Sequence, residues 1–72
     1  MITQRRLQHL LDNQKRFVRD TAHQLRTPLA VLGMACEDLQ RRAPREQQQA
    51  LATMDAAIWQ LQQAVDLLLA LA

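Results

Sequence analysis

The stretch LATMDAAIWQLQQAVDLLLALA spans residues 51–72. Within it, Leu51, Met54, Ile58, Leu61, Val65, Leu68 and Ala72 are spaced 3, 4, 3, 4, 3 and 4. That is a strict heptad a/d pattern, which marks a helix laid along other helices. The g seats, one before each a, hold Ala50, Ala57, Ala64 and then Leu71. Three small residues beside the seam let neighbouring helices approach closely, and Leu71 keeps the apolar stripe wide. A stripe widened beyond a and d suits a four-helix bundle better than a two-stranded coil.

Working outward, the same repeat runs through the preceding segment. Leu11, Val18, Leu25, Leu32 and Leu39 recur every seven residues and occupy a. The d seats, Leu7, Gln14, Thr21, Pro28 and Ala35, are weaker. They are supplemented at g and e by Leu10, Phe17, Val31, Ala22, Leu29 and Cys36. Between the two segments lies RRAPRE, residues 41–46. Arg41 and Arg42 suit a helix C-terminus, and Glu46 suits a helix N-terminus. Pro44 suits the first helical turn, where its missing N–H costs nothing.

The expectation is an all-α chain forming an antiparallel helical hairpin. Its first helix covers about residues 2–42, its turn about 42–45 and its second helix about 45–71. At ~1.5 Å per residue the helices are about 60 and 40 Å long, so the first overhangs. One hairpin buries only one seam, whereas two hairpins related by a two-fold axis make a four-helix bundle. A homodimer is therefore expected, with Leu69 in the dimer seam. Leu67 at c and Trp59 at b, outside the a and d seats, are left open between a wide dimer seam and a contact with another domain.

Composition narrows the function classes. The chain has 72 residues, 49% of them apolar, with one Gly, two Pro and no Tyr, which is too lean in turn-formers for a β protein. A chain of this size buries a modest core alone and usually needs a staple or a partner. The single cysteine, Cys36, excludes an internal disulfide and reads as a small buried apolar residue. The formal charge is +2, and the basic residues are spread over the first two-thirds of the chain. With Phe17 and Trp59 the only aromatics, nucleic-acid binding is not expected. No stretch approaches the ~20 apolar residues of a membrane span. No direct membrane contact is expected of this chain, and its character is soluble and cytoplasmic.

Two histidines, His9 and His23, both fall at heptad position f and point away from the seam. A metal pair at close helical spacing is not available to them. The neighbours of His9 suggest a solvated surface residue. Around His23, however, Arg19, Thr27, Ala30, Met34 and Glu37 lie at −4, +4, +7, +11 and +14, along roughly one stripe. Small or apolar residues such as Ala30 and Met34 on an outward face suggest a docking surface for another protein.

Here the residues reach a resemblance. FVRDTAHQLRTPLA, residues 17–30, closely resembles the H-box of bacterial sensor histidine kinases, in their dimerisation and histidine-phosphotransfer domain. The matching residues are Phe17, Asp20, His23, Gln24, Leu25, Arg26, Thr27, Pro28 and Leu29. LQQAVDLLLALA, residues 61–72, also resembles the end of that domain's second helix. The resemblance implies that His23 accepts a phosphoryl group from ATP and passes it to an aspartate of a response-regulator receiver domain. Imidazole suits that work, being largely neutral and hence nucleophilic when unperturbed. Thr27 is implied to position a water for dephosphorylating the regulator. Many relatives carry an acid after the histidine, whereas Gln24 can orient the ring but cannot take a proton.

Arg26, Ala30, Met34 and Glu37 are candidate partner contacts, and Arg26 could also meet phosphate or carboxylate. Pro28 cannot donate to the carbonyl of Gln24, so a bend beside the histidine is expected, serving as a hinge. No cofactor or metal is expected in this chain. ATP and Mg are implied for an ATP-binding domain that lies outside it, so the chain is part of a protein-histidine kinase and inactive alone. The implied setting is the cytoplasmic portion of a bacterial inner-membrane receptor. The rival reading is a non-catalytic helical dimerisation and signal-relay module with an unused histidine.

Overall fold

The structure, a computed structural model, describes residues 2–72. Two helices make it up: α1, Ile2–Arg42, and α2, Arg45–Leu71. They pack as a hairpin 65 Å long and 16 by 14 Å across. The all-α hairpin expected from the heptads is what the chain forms. α1 runs without interruption through Pro28.

The connection is two residues, Ala43 and Pro44. The Ala43 N–H donates to the Leu39 carbonyl at 2.8 Å, adding a last bond to α1. Arg41 and Arg42 lie in the last turn, where cations favour the dipole. Pro44, read from the sequence as suiting a first helical turn, stands one residue before that turn. It is the N-cap, at φ −59 and ψ 156, and the helix begins at Arg45. With no side-chain cap of its own, the start of α2 instead serves the end of α1. Gln48 donates its amide to the Gln40 carbonyl at 2.7 Å and to the Ala43 carbonyl at 2.9 Å. Both acceptors are orphans of the kind every helix C-terminus leaves.

The heptads divide their labour in a way the repeat did not specify. On α1, the e seats pack inside the hairpin: Ala22, Leu29 and Cys36 are buried. On α2, the a seats Leu51 and Val65 are buried beside them. The a seats of α1 and the d seats of α2 stay outside: Leu25 is 45% exposed, Leu32 52%, Leu39 51%, Met54 52% and Leu61 53%. Leu69 also contributes inside the hairpin. Half-buried, it packs on the cluster of Ala22, Leu29 and Val65 within one hairpin. At e on α2 it faces α1, as do Asp55 and Gln62, which are half-buried in the same row.

Gly33 is where the helices come closest to crowding. A Cβ there would sit 3.3 Å from the Gln62 amide nitrogen and 3.7 Å from Ile58 Cγ2. The glycine supplies room for α2, not an unusual backbone angle, since none of the described residues has positive φ.

Candidate functional site

His23 sits on α1 one residue past the buried Ala22 and is itself exposed. At about 100° per residue, a residue beside a buried seat and turned away from α2 opens to solvent. Gln24 and Thr27 are exposed with it. Among the described residues the Thr27 hydroxyl makes no hydrogen bond. The Thr53 hydroxyl, by contrast, donates back to the Gln49 carbonyl at 3.1 Å, the usual habit of a helical threonine. Pro28, next in line, is exposed as well.

Arg26 points toward α2. Its Nη2 lies 3.3 Å from Asp66 Oδ1, and both side chains are about half exposed. This pair joins the H-box to the second helix. Below it, Gln62 of α2 donates to the Leu29 carbonyl at 3.3 Å. Two polar bridges thus cross between the helices at Arg26 and Leu29, three and six residues after His23.

Further toward the turn, Ala30, Met34 and Glu37 meet Asp55, Ile58 and Trp59 of α2 around one open groove. Met34 is 71% exposed and Trp59 60%. The sequence placed Ala30, Met34 and Glu37 on the stripe of His23 but left Trp59 without a partner. The signal was present in its b seat, one before Gln60 and one after Ile58, but only the rotation of α2 against α1 brings that seat beside Met34. A second groove, at the other end of α2, is lined by Leu11, Gln14, Val18, Leu68 and Leu71. It continues the exposed apolar stripe upward.

Cys36 is buried, and its thiol donates to the Leu51 carbonyl at 3.5 Å. Burial pushes its pKa up from the ordinary 9.0, and the charges of Asp55 and Glu37 add to the effect. It is a packed thiol, not a nucleophile. Among the described residues no group of three or more His, Cys, Asp or Glu side chains could hold a metal ion. Among the same residues no helix is long and apolar enough to cross a membrane.

The fold and site define a helical hairpin that exposes one histidine above a two-helix groove and leaves a long apolar stripe uncovered. The family model of the His Kinase A (phospho-acceptor) domain matches residues 13–72, and the chain belongs to that family. It is therefore a phospho-acceptor and dimerisation domain of the histidine kinases of two-component signalling. Neither the comparison with curated proteins nor that with solved structures found a match.

Proposed function

We propose that His23 is the phosphoacceptor of this domain. Its Nε2 attacks the γ-phosphorus of ATP held by a separate catalytic domain. The bond from that phosphorus to the bridging oxygen breaks, ADP leaves, and a P–N bond forms. An aspartate carboxylate of a response regulator then takes the phosphoryl group and the P–N bond breaks. The observation that carries this reading is the exposure of His23 on the outward seat of α1, in line with the groove of Ala30, Met34 and Trp59. A receiver domain seated on that groove has its aspartate within reach of a histidine on the same face.

Gln24 orients the imidazole through its amide oxygen, and Thr27, with its hydroxyl unengaged, positions water for attack on the regulator's phosphoaspartate. Arg26, Ala30, Met34 and Glu37 contact the regulator. Pro28 leaves the Gln24 carbonyl without its helical donor and lets α1 bend during signalling. Two hairpins pair through the exposed a seats of α1 and d seats of α2 into a four-helix bundle. The setting is the cytoplasmic part of a membrane receptor.

The experiment is phosphotransfer from radiolabelled ATP, using this chain, a separately made ATP-binding domain and a receiver domain. His23→Gln should lose all label and His9→Gln should keep it. Label retained by His23→Gln, or none on the wild type, would leave the non-catalytic relay module as the better description.

A further inference from the structure

We propose that Arg19 and Arg26 form a two-arginine clamp for the phosphoryl group at His23, and that Asp66 restrains Arg26 until that group arrives. The proposal rests on His23 being the phosphoacceptor. Arg19 lies one turn before His23 and Arg26 one turn after it. At about 100° per residue, Arg19 is rotated about 40° and Arg26 about 60° from His23, both to the same side. Residues so placed are surface neighbours, with Cβ atoms ~5–6 Å apart. That shared side is the one turned toward α2, as the contact from Arg26 Nη2 to Asp66 Oδ1 at 3.3 Å demonstrates. Thr27 and Asp20 lie to the opposite side, so the two cations and the candidate water-positioning hydroxyl flank the ring separately.

Both guanidiniums are held loosely. Arg19 Nε is 3.8 Å from Asp20 Oδ1, and both of these side chains are more than half exposed. The Arg26–Asp66 pair is closer but also about half exposed. Exposed pairs of this kind are weak and screened by salt. A phosphoryl group brings nearly two negative charges and three acceptor oxygens, and the arginine fork binds such groups in two-point fashion. It therefore outcompetes a single carboxylate for either arginine.

His9 supplies the contrast within the same chain. It shares the f seat, and Arg5 stands at −4 as Arg19 does for His23. At +3, however, stands Asp12, itself held by the Gln8 amide at 3.3 Å. The net charge around the two histidines is similar, because Arg6 lies on the far side of His9. What differs is the side: only His23 has two arginine seats on one side of it, from which both flexible side chains can reach a phosphoryl group.

The test uses the whole chain and phosphoramidate, a small anionic phosphoryl donor that needs no ATP-binding domain. Mass spectrometry assigns the label to His23 or His9. Arg19→Ala and Arg26→Ala should each slow labelling at His23 by about fivefold. The wild type should be inhibited by salt, and the double variant should be slower still and lose that inhibition. Its phosphorus-31 titration midpoint should rise, since cations favour the ionised phosphoryl group. Asp66→Asn should accelerate labelling, and Arg26→Lys should retain part of the rate. Labelling at His9 should respond to none of these, and circular dichroism should show each variant helical. If His23 is labelled and the double variant matches wild type in rate, salt response and midpoint, the clamp is wrong while the phosphoacceptor assignment stands. If wild-type His23 takes no label, the assignment itself fails and the clamp falls with it.

Discussion

Gln62 of α2 donates its side-chain amide to the backbone carbonyl of Leu29 in α1, at 3.3 Å. The glycine at position 33 leaves room beside that amide. A Cβ at Gly33 would stand 3.3 Å from the same amide nitrogen. Two opposed effects meet at this position. Glycine inside a helix costs about 1 kcal/mol relative to alanine. A Cβ would push the Gln62 amide aside and weaken a long hydrogen bond, worth about 0.5–1.5 kcal/mol. Gln62 is a flexible chain that can move a few tenths of an ångström. Gly33→Ala should therefore be neutral to stabilising by up to about 1 kcal/mol in urea denaturation. Gly33→Val should destabilise by about 1–3 kcal/mol, because its branched side chain also meets Ile58.

Gln48 is the strap of the turn. Its amide serves both the Gln40 and Ala43 carbonyls, at 2.7 and 2.9 Å. Gln48→Ala should cost about 1–2 kcal/mol in the same denaturation, for two half-buried bonds. Gln48→Glu should cost more. It cannot donate, and it sets a negative charge against the C-terminal dipole of α1.

The uncovered leucines predict concentration-dependent stability. With Leu25, Leu32, Leu39 and Leu61 each 45–53% exposed in one hairpin, a second copy should bury them. The melting temperature should rise with protein concentration. Leu32→Asp should convert the dimer to monomer in analytical ultracentrifugation and lower helicity. A wild type that sediments as a monomer at micromolar concentration would overturn the bundle.

Thr27→Ala should leave labelling of His23 from ATP near the wild-type rate while reducing dephosphorylation of the regulator at least about tenfold. Gln24→Glu should still be phosphorylated, at a raised rate, because a carboxylate adds a base that the amide cannot supply. Complete loss of phosphorylation in Gln24→Glu would contradict the orienting role.

Cys36 reports on the fold. Its thiol is buried, and its pKa is raised above 9.0 by burial, then by Asp55 and Glu37. A raised folded pKa means that the stabilisation is present below the unfolded value and lost as pH climbs through the folded one. Stability should therefore fall at alkaline pH, above about 9, and Cys36→Ser should show less of that fall. Near neutral pH, thiol reagents should label Cys36 at the rate of hairpin opening.

Much of this was legible in the sequence. The two heptad runs specify two helices, and RRAPRE specifies where one stops. His23 stands out from His9 by its neighbours, though both occupy the same seat. The division of the apolar stripe was not legible. A heptad names which residues avoid water but not which neighbour covers them, because two adjacent helices and a second copy all make the same demand for apolar surface. Leu69 shows the consequence: its e seat fits a dimer seam, yet it also packs on the hairpin's own cluster. Pro44 at the N-cap rather than in the first turn is a shift of one residue, decided by its ψ of 156.

What the sequence alone determined was therefore periodic and local: helix type, helix extent, the outward seat of His23 and the H-box around it. Each follows from 3.6 residues per turn and from side chains within one turn of each other. What only tertiary structure decided was pairing across the helices. Arg26 with Asp66, Gln62 with Leu29, and Trp59 beside Met34 depend on how α2 is rotated and shifted along α1. That register is set by which seats interdigitate, Ala22, Leu29 and Cys36 against Leu51 and Val65. A repeat that is the same in every turn carries no mark of it.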